Sequence, residues 1–180
     1  MTIFRRLTRW LGAQHGMTNI VAGHPAPNFS LKSLEGREFS LADFLKKGPV
    51  VLSFVKVSCP VCKFTFPFLE RLFQRYGKDD VTFLAVSQDD AGASREFAKE
   101  FGLTFPVLTD TAGYPVSNAY GLTMVPTVFL LESGGTVRIS SMGFVRGDLE
   151  SIADSLADRQ NLTRVPVFAA NESVPDVKPG

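Results

Sequence analysis

Cysteine is scarce in this chain, which has 2 in 180 residues, Cys59 and Cys62. So few exclude the multi-disulfide framework that staples small secreted domains. A closed zinc site usually needs four ligands, and the 2 histidines, His15 and His24, both lie in the N-terminal region. No metal or other cofactor is therefore expected. Excess charge of one sign is also missing: 19 basic against 18 acidic residues give a formal net charge of +1. Without a global field, neither nucleic acid nor an anionic membrane is indicated as a partner. Long apolar runs are absent as well. The longest are strand-length, such as Pro49 to Val55, well below the roughly 18 residues of a membrane-spanning helix. Arg5, Arg6 and Arg9 stand among apolar residues near the start, but the apolar core of a secretory signal does not follow them. Residues 1–16 are accordingly expected to be a disordered extension or an over-called start, and the protein to be cytoplasmic. In the reducing cytosol a close cysteine pair is more often catalytic or metal-binding than a static crosslink.

What the chain does contain is apolar bulk, with 44% hydrophobic residues, 21% charged residues and 16 phenylalanines, the composition of a folded domain of ordinary size. Residues 17–160 read as that domain and residues 161–180 as an extended tail, since from Asn161 the chain carries 3 prolines and no periodicity. "FSLKSLEGREFSLADF" predicts two short strands around Glu35-Gly36 and then a turn of helix. "PVVLSFVKV", Pro49 to Val57, is a near-continuous β-branched and aromatic run that predicts a central strand buried on both faces. From Pro60 to about Gly77 the apolar residues recur at helical spacing. "VTFLAVS", Val81 to Ser87, predicts a second buried strand, and "ASREFAKEFGL" a helix ending near Gly102. A short strand, a short helix, a hairpin about Gly134-Gly135 and a helix over Asp148 to Asp158 complete the pattern. Strands alternating with helices and closing in a hairpin predict an α/β fold, with a mixed central sheet, helices on both faces and an N-terminal β extension.

The cysteines fall where the central strand passes into a helix, the usual place for a site in an open α/β sheet. Just before Pro60, which suits the first helical position, Cys59 is expected at the N-cap, where unpaired N–H groups and the helix dipole favour a thiolate. Cys62 falls one turn further in, more buried yet within disulfide reach. Cys59 is then the nucleophile and Cys62 the thiol that resolves the mixed disulfide.

These segments resemble the redoxin branch of the thioredoxin-fold superfamily, which contains tethered thiol-disulfide oxidoreductases and the alkyl hydroperoxide reductase or thiol-specific antioxidant (peroxiredoxin) proteins. The resemblance covers about Ile20 to Leu156 and rests on "AGHPAPNFSL", "CPVCKFTFP", "DTAGYPVSNAYGL" and "VPTVFLLESGGTV". It implies a thioredoxin-like fold and a kink proline at Pro67. It also implies a cis-proline at Pro126 opposite the pair, with the backbone of Val125 docking an extended substrate segment. Pro60, Val125 and Pro126 are the expected substrate-binding residues. This chain departs from the pattern at Ser58, where thioredoxins have an aromatic residue, and at Ser53 and Thr65, where the family places a carboxylate serving the second cysteine. Lys56 and Lys63 flank the pair.

The expected activity is thiol-disulfide exchange with protein or small-molecule disulfides, recharged by a thiol or thioredoxin-reductase-type electron donor. A thiol peroxidase is the alternative, with Cys62 as the peroxide-reactive thiol. In that register Pro126 stands where peroxiredoxins carry an arginine, and Cys59 where they carry a threonine. A redox-sensing module without turnover would use the same pair. The sequence says nothing about oligomeric state.

Overall fold

A computed structural model describes residues 18–78 and 80–180; the expectation for residues 1–16 lies outside the described residues. In chain order the elements are β1 (Ser30–Ser33), β2 (Glu38–Ser40), α1 (Leu41–Leu45), β3 (Val50–Val55), α2 (Pro60–Tyr76), β4 (Thr82–Ser87) and α3 (Ala91–Glu100). They continue with β5 (Val107–Thr109), α4 (Pro115–Ala119), β6 (Thr127–Leu131), β7 (Val137–Met142), β8 (Phe144–Val145), α5 (Arg146–Arg159) and β9 (Val177–Lys178).

Seven strands form one sheet in the order β2-β1-β5-β4-β3-β6-β7. β3 lies parallel to β4 and antiparallel to β6, so the sheet is mixed. Every residue of β3 is buried, as a run with no polar alternation requires, because both faces of the strand are covered. On one face α2, α3 and α5 contribute Phe66, Leu69, Phe97, Leu149 and Ile152 to the core. On the other α1 and α4 contribute Leu41 and Val116, packed with Phe54, Tyr120 and Phe129. The β1-β2 turn needs a residue with positive φ, and Gly36 supplies it at 80°. Asp90 caps α3 by accepting the Ala93 N–H at 2.9 Å. α5 begins at Arg146, earlier than the expected Asp148, because Val145 of β8 passes straight into it.

Residues 161–180 are irregular apart from one short strand, and they lie on the domain. Val167 and Phe168 are buried, Phe168 with 3% of its surface exposed. Its ring packs edge-on against Phe68, centroids 4.9 Å apart, and against Phe144 at 5.9 Å. Arg71 of α2 donates to the Val167 carbonyl at 2.6 Å and grips Glu172 through both terminal nitrogens, at 2.8 and 2.7 Å. The Arg71 hydrogen bonds, with a further one from the Ala169 N–H, hold the Glu172 carboxyl down at about 2. The chain then turns back so that β9 pairs with β8.

Candidate active site

The site is built at the carboxyl end of β3. After Val55 the chain makes a short turn, closed by the Cys59 N–H donating to the Lys56 carbonyl at 3.0 Å. Cys59 is the N-cap of α2, with extended backbone at φ −79° and ψ 117°, and Pro60 takes the first helical position. The Cys59 sulfur accepts the Cys62 N–H at 3.3 Å, one of the donors that a helix start leaves unpaired. Its thiol donates to the Val125 carbonyl, also at 3.3 Å. Cys59 is half-buried, whereas Cys62 is fully enclosed at 0% exposure, and both are free thiols. Burial pushes the Cys62 thiol well above the ordinary cysteine range. A hydrogen bond from the Lys56 main chain opposes this shift, while Cys59 and the Asp89 carboxylate add to it.

Opposite the pair runs the Met124–Thr127 segment. The Val125-Pro126 bond is cis, Pro126 is buried and Val125 half-buried. The Thr127 hydroxyl donates to the Met124 carbonyl at 2.8 Å, and the Gly143 N–H donates to the Pro126 carbonyl at 2.8 Å, so the segment is fixed from both sides. A shallow cavity of about 330 Å³ borders Val125, lined by Gln88, Tyr114, Ser117, Asn118 and Met124 among others. Pro60 is exposed beside Cys59. The structure thus brings together all five residues singled out in the sequence.

The positions where a carboxylate would be expected are occupied otherwise. The Ser53 hydroxyl donates to the Leu84 carbonyl at 3.1 Å inside the sheet. The Thr65 hydroxyl donates to the Val61 carbonyl at 2.7 Å within α2. Lys56 and Lys63 are exposed, so as flexible, solvated charges they fix no partner at the sulfurs. The carboxylate at the site is Asp89, which sequence reasoning missed. It follows β4, is half-buried, and accepts the Val57 N–H at 2.7 Å. The signal was present in the parallel pairing of β3 with β4: Val55 lies beside Ser87, so the residues that follow the two strands lie side by side.

A dithiol on the first turn of a helix, its outer sulfur against a cis-proline segment and its inner sulfur sealed in the core, defines a thioredoxin-fold redox protein when carried on this sheet. Residues 22–140 match the AhpC/TSA family, and the chain belongs to it. It is 40% identical over 122 residues to the thiol-disulfide oxidoreductase ResA of Geobacillus thermodenitrificans, covering 67% of this chain and 69% of that protein. Among solved structures, MTB dsbF in its mixed oxidized and reduced forms superposes with a TM-score of 0.63 at 27% identity, covering 72% of this chain and 93% of dsbF. The thioredoxin domain of the thiol-disulfide oxidoreductase BVU-2223 from Bacteroides vulgatus superposes with a TM-score of 0.67 at 20% identity, covering 76% and 98%, and supports the fold. Site and comparisons together make the chain a thiol-disulfide oxidoreductase with a thioredoxin-like fold.

Proposed function

We propose that Cys59 attacks disulfide substrates and Cys62 resolves the product, with Val125 as the docking backbone. The observation that carries this reading is the asymmetry of the pair: Cys59 is half-buried with its thiol on the Val125 carbonyl, and Cys62 is sealed behind it. Having given up its proton, Cys59 attacks one sulfur of the substrate disulfide. A Cys59–substrate disulfide forms and the other substrate sulfur leaves as a thiolate. Cys62 then loses its proton and attacks the Cys59 sulfur, closing the Cys59–Cys62 disulfide and releasing the second substrate thiolate. The substrate gains two electrons, the pair loses two, and the two protons match the two thiolates released. An external dithiol of the thioredoxin-reductase-dependent kind reverses the change. Beside Cys59, an extended substrate segment is placed to pair with the Val125 main chain as an added strand. The cytoplasmic setting expected from the sequence remains part of this proposal, and fractionation of cells expressing the full chain checks it.

Peroxidase chemistry asks for donors fixed around the peroxide oxygens in the transition state. Pro126 occupies the position of the arginine expected for that purpose, and Cys62 is enclosed with its thiol held protonated. Stopped-flow oxidation of one reduced sample tests the reading. A small disulfide is expected to oxidise the pair at least about tenfold faster than hydrogen peroxide does, because exchange depends on thiolate fraction, leaving group and access. Fast, saturating peroxide consumption that survives Cys59→Ser and vanishes in Cys62→Ser would replace this reading with the peroxidase.

A further inference from the structure

The tail reaches the docking segment that the proposed mechanism uses. Its first half is anchored by the buried Val167 and Phe168 and by the Arg71–Glu172 pair. From Ser173 onward its side chains are exposed or half-buried. This second half is held by Val174, half-buried against the core, by the short β8-β9 pairing, by the Arg146 N–H donating to the Asp176 carbonyl at 2.8 Å, and by the Lys178 ammonium 4.5 Å from the centre of the Phe64 ring. Gly143, with φ 73°, admits it: a Cβ there would stand 2.6 Å from the Lys178 carbonyl oxygen and 3.1 Å from the Gly180 nitrogen. Gly180 lies on the main chain of Val125, so close that a Cβ at Gly180 would overlap the Val125 carbonyl oxygen. That same oxygen receives the Cys59 thiol.

We propose that residues 173–180 are a displaceable strap on the docking backbone, so that the resting site takes low-molecular-weight disulfides and an extended protein segment docks only after the strap lifts. The inference rests on the reading of Val125 as the docking element. Its physical basis is the unequal hold on the two halves of the tail: buried Val167 and Phe168 with a bidentate ion pair for the first, one half-buried valine and a two-residue strand pair for the second. An extended peptide and the strap need the same main-chain strip, so the strap lowers the apparent affinity for the peptide by the fraction of molecules in which it is open. A small disulfide has to reach only the Cys59 sulfur and needs no strip of docking backbone.

Ending the chain after Glu172 keeps Phe168 and Glu172 and removes the strap. The expected result is a rise of about tenfold in kcat/KM for insulin disulfides, the gain for a strap open about one-tenth of the time. Turnover of glutathione disulfide should stay within about twofold, because a small disulfide reaches the Cys59 sulfur without pairing to the Val125 main chain. Unchanged insulin turnover, or an equal rise for both substrates, overturns the strap. Absence of glutathione turnover in the full chain would instead strike the exchange reading itself. A second measurement needs no truncation. In full-length Cys62→Ser, a mixed disulfide with an insulin-chain peptide is expected to lose amide-exchange protection at Lys178, and one with glutathione to keep it. Protection retained in both adducts overturns the proposal.

Discussion

Cys59→Ser is expected to lower disulfide-reducing turnover by at least about three orders of magnitude, the scale on which removing a nucleophile acts. The serine hydroxyl can keep the N-cap position and accept the Cys62 N–H, so the fold should be retained and the loss should report chemistry. It cannot attack a disulfide at neutral pH, and Cys62, at 0% exposure, is in no position to take over. The raised Cys62 thiol adds a pH signature to the unmodified protein. Below that pKa the Cys62 thiolate fraction rises about tenfold per pH unit, so the resolving step should speed up as the pH is raised, and should be the slower of the two steps near neutrality. A steady-state assay with a recycling dithiol, run at several pH values, checks both expectations. Turnover in Cys59→Ser within about tenfold of the unmodified protein would remove Cys59 from the mechanism.

Phe168→Ala is expected to cost about 3–5 kcal/mol of stability, the usual range for emptying a buried phenylalanine site. The residue lies in the tail, yet it is 3% exposed, touches Phe68 and Phe144 edge-on, and carries the Arg146 guanidinium 5.3 Å from its ring centre. α2 supplies Phe68, carries Cys62 and is capped by Cys59, so the cavity would open behind the site. Urea denaturation checks it: the midpoint should fall with little change in slope. A loss below about 0.5 kcal/mol, the size of an ordinary surface substitution, would mean that the tail does not contribute to the core.

The parts of the fold that could be read in advance are those whose causes are local. β3 is legible because a strand covered on both faces has to be apolar at every position, and VVLSFV is nearly so. α2 is legible because Pro60 opens it, Gly77 stops it and the apolar spacing between them is helical. The cysteine pair could be placed because it falls at the junction of these two elements. Asp89 is different: its bond to Val57 arises from the lateral register of β3 and β4, which no single segment states. The course of the tail was hidden for the same reason. Arg71 and Glu172 stand 101 positions apart, and nothing near Val167 or Phe168 marks them as core. Three prolines and a lack of periodicity correctly indicate irregular backbone. They do not indicate whether that backbone leaves the domain or lies down on it.

The central claim is the division of labour between the two thiols. Its most direct test is to mix Cys62→Ser and, separately, Cys59→Ser with the same disulfide substrate and weigh the products intact by mass spectrometry. The account predicts a stable one-to-one mixed disulfide through Cys59 in Cys62→Ser, because no second thiol is present to resolve it, and almost none in Cys59→Ser, because the remaining sulfur is enclosed. Equal trapping by the two variants, or trapping through Cys62 alone, would contradict it.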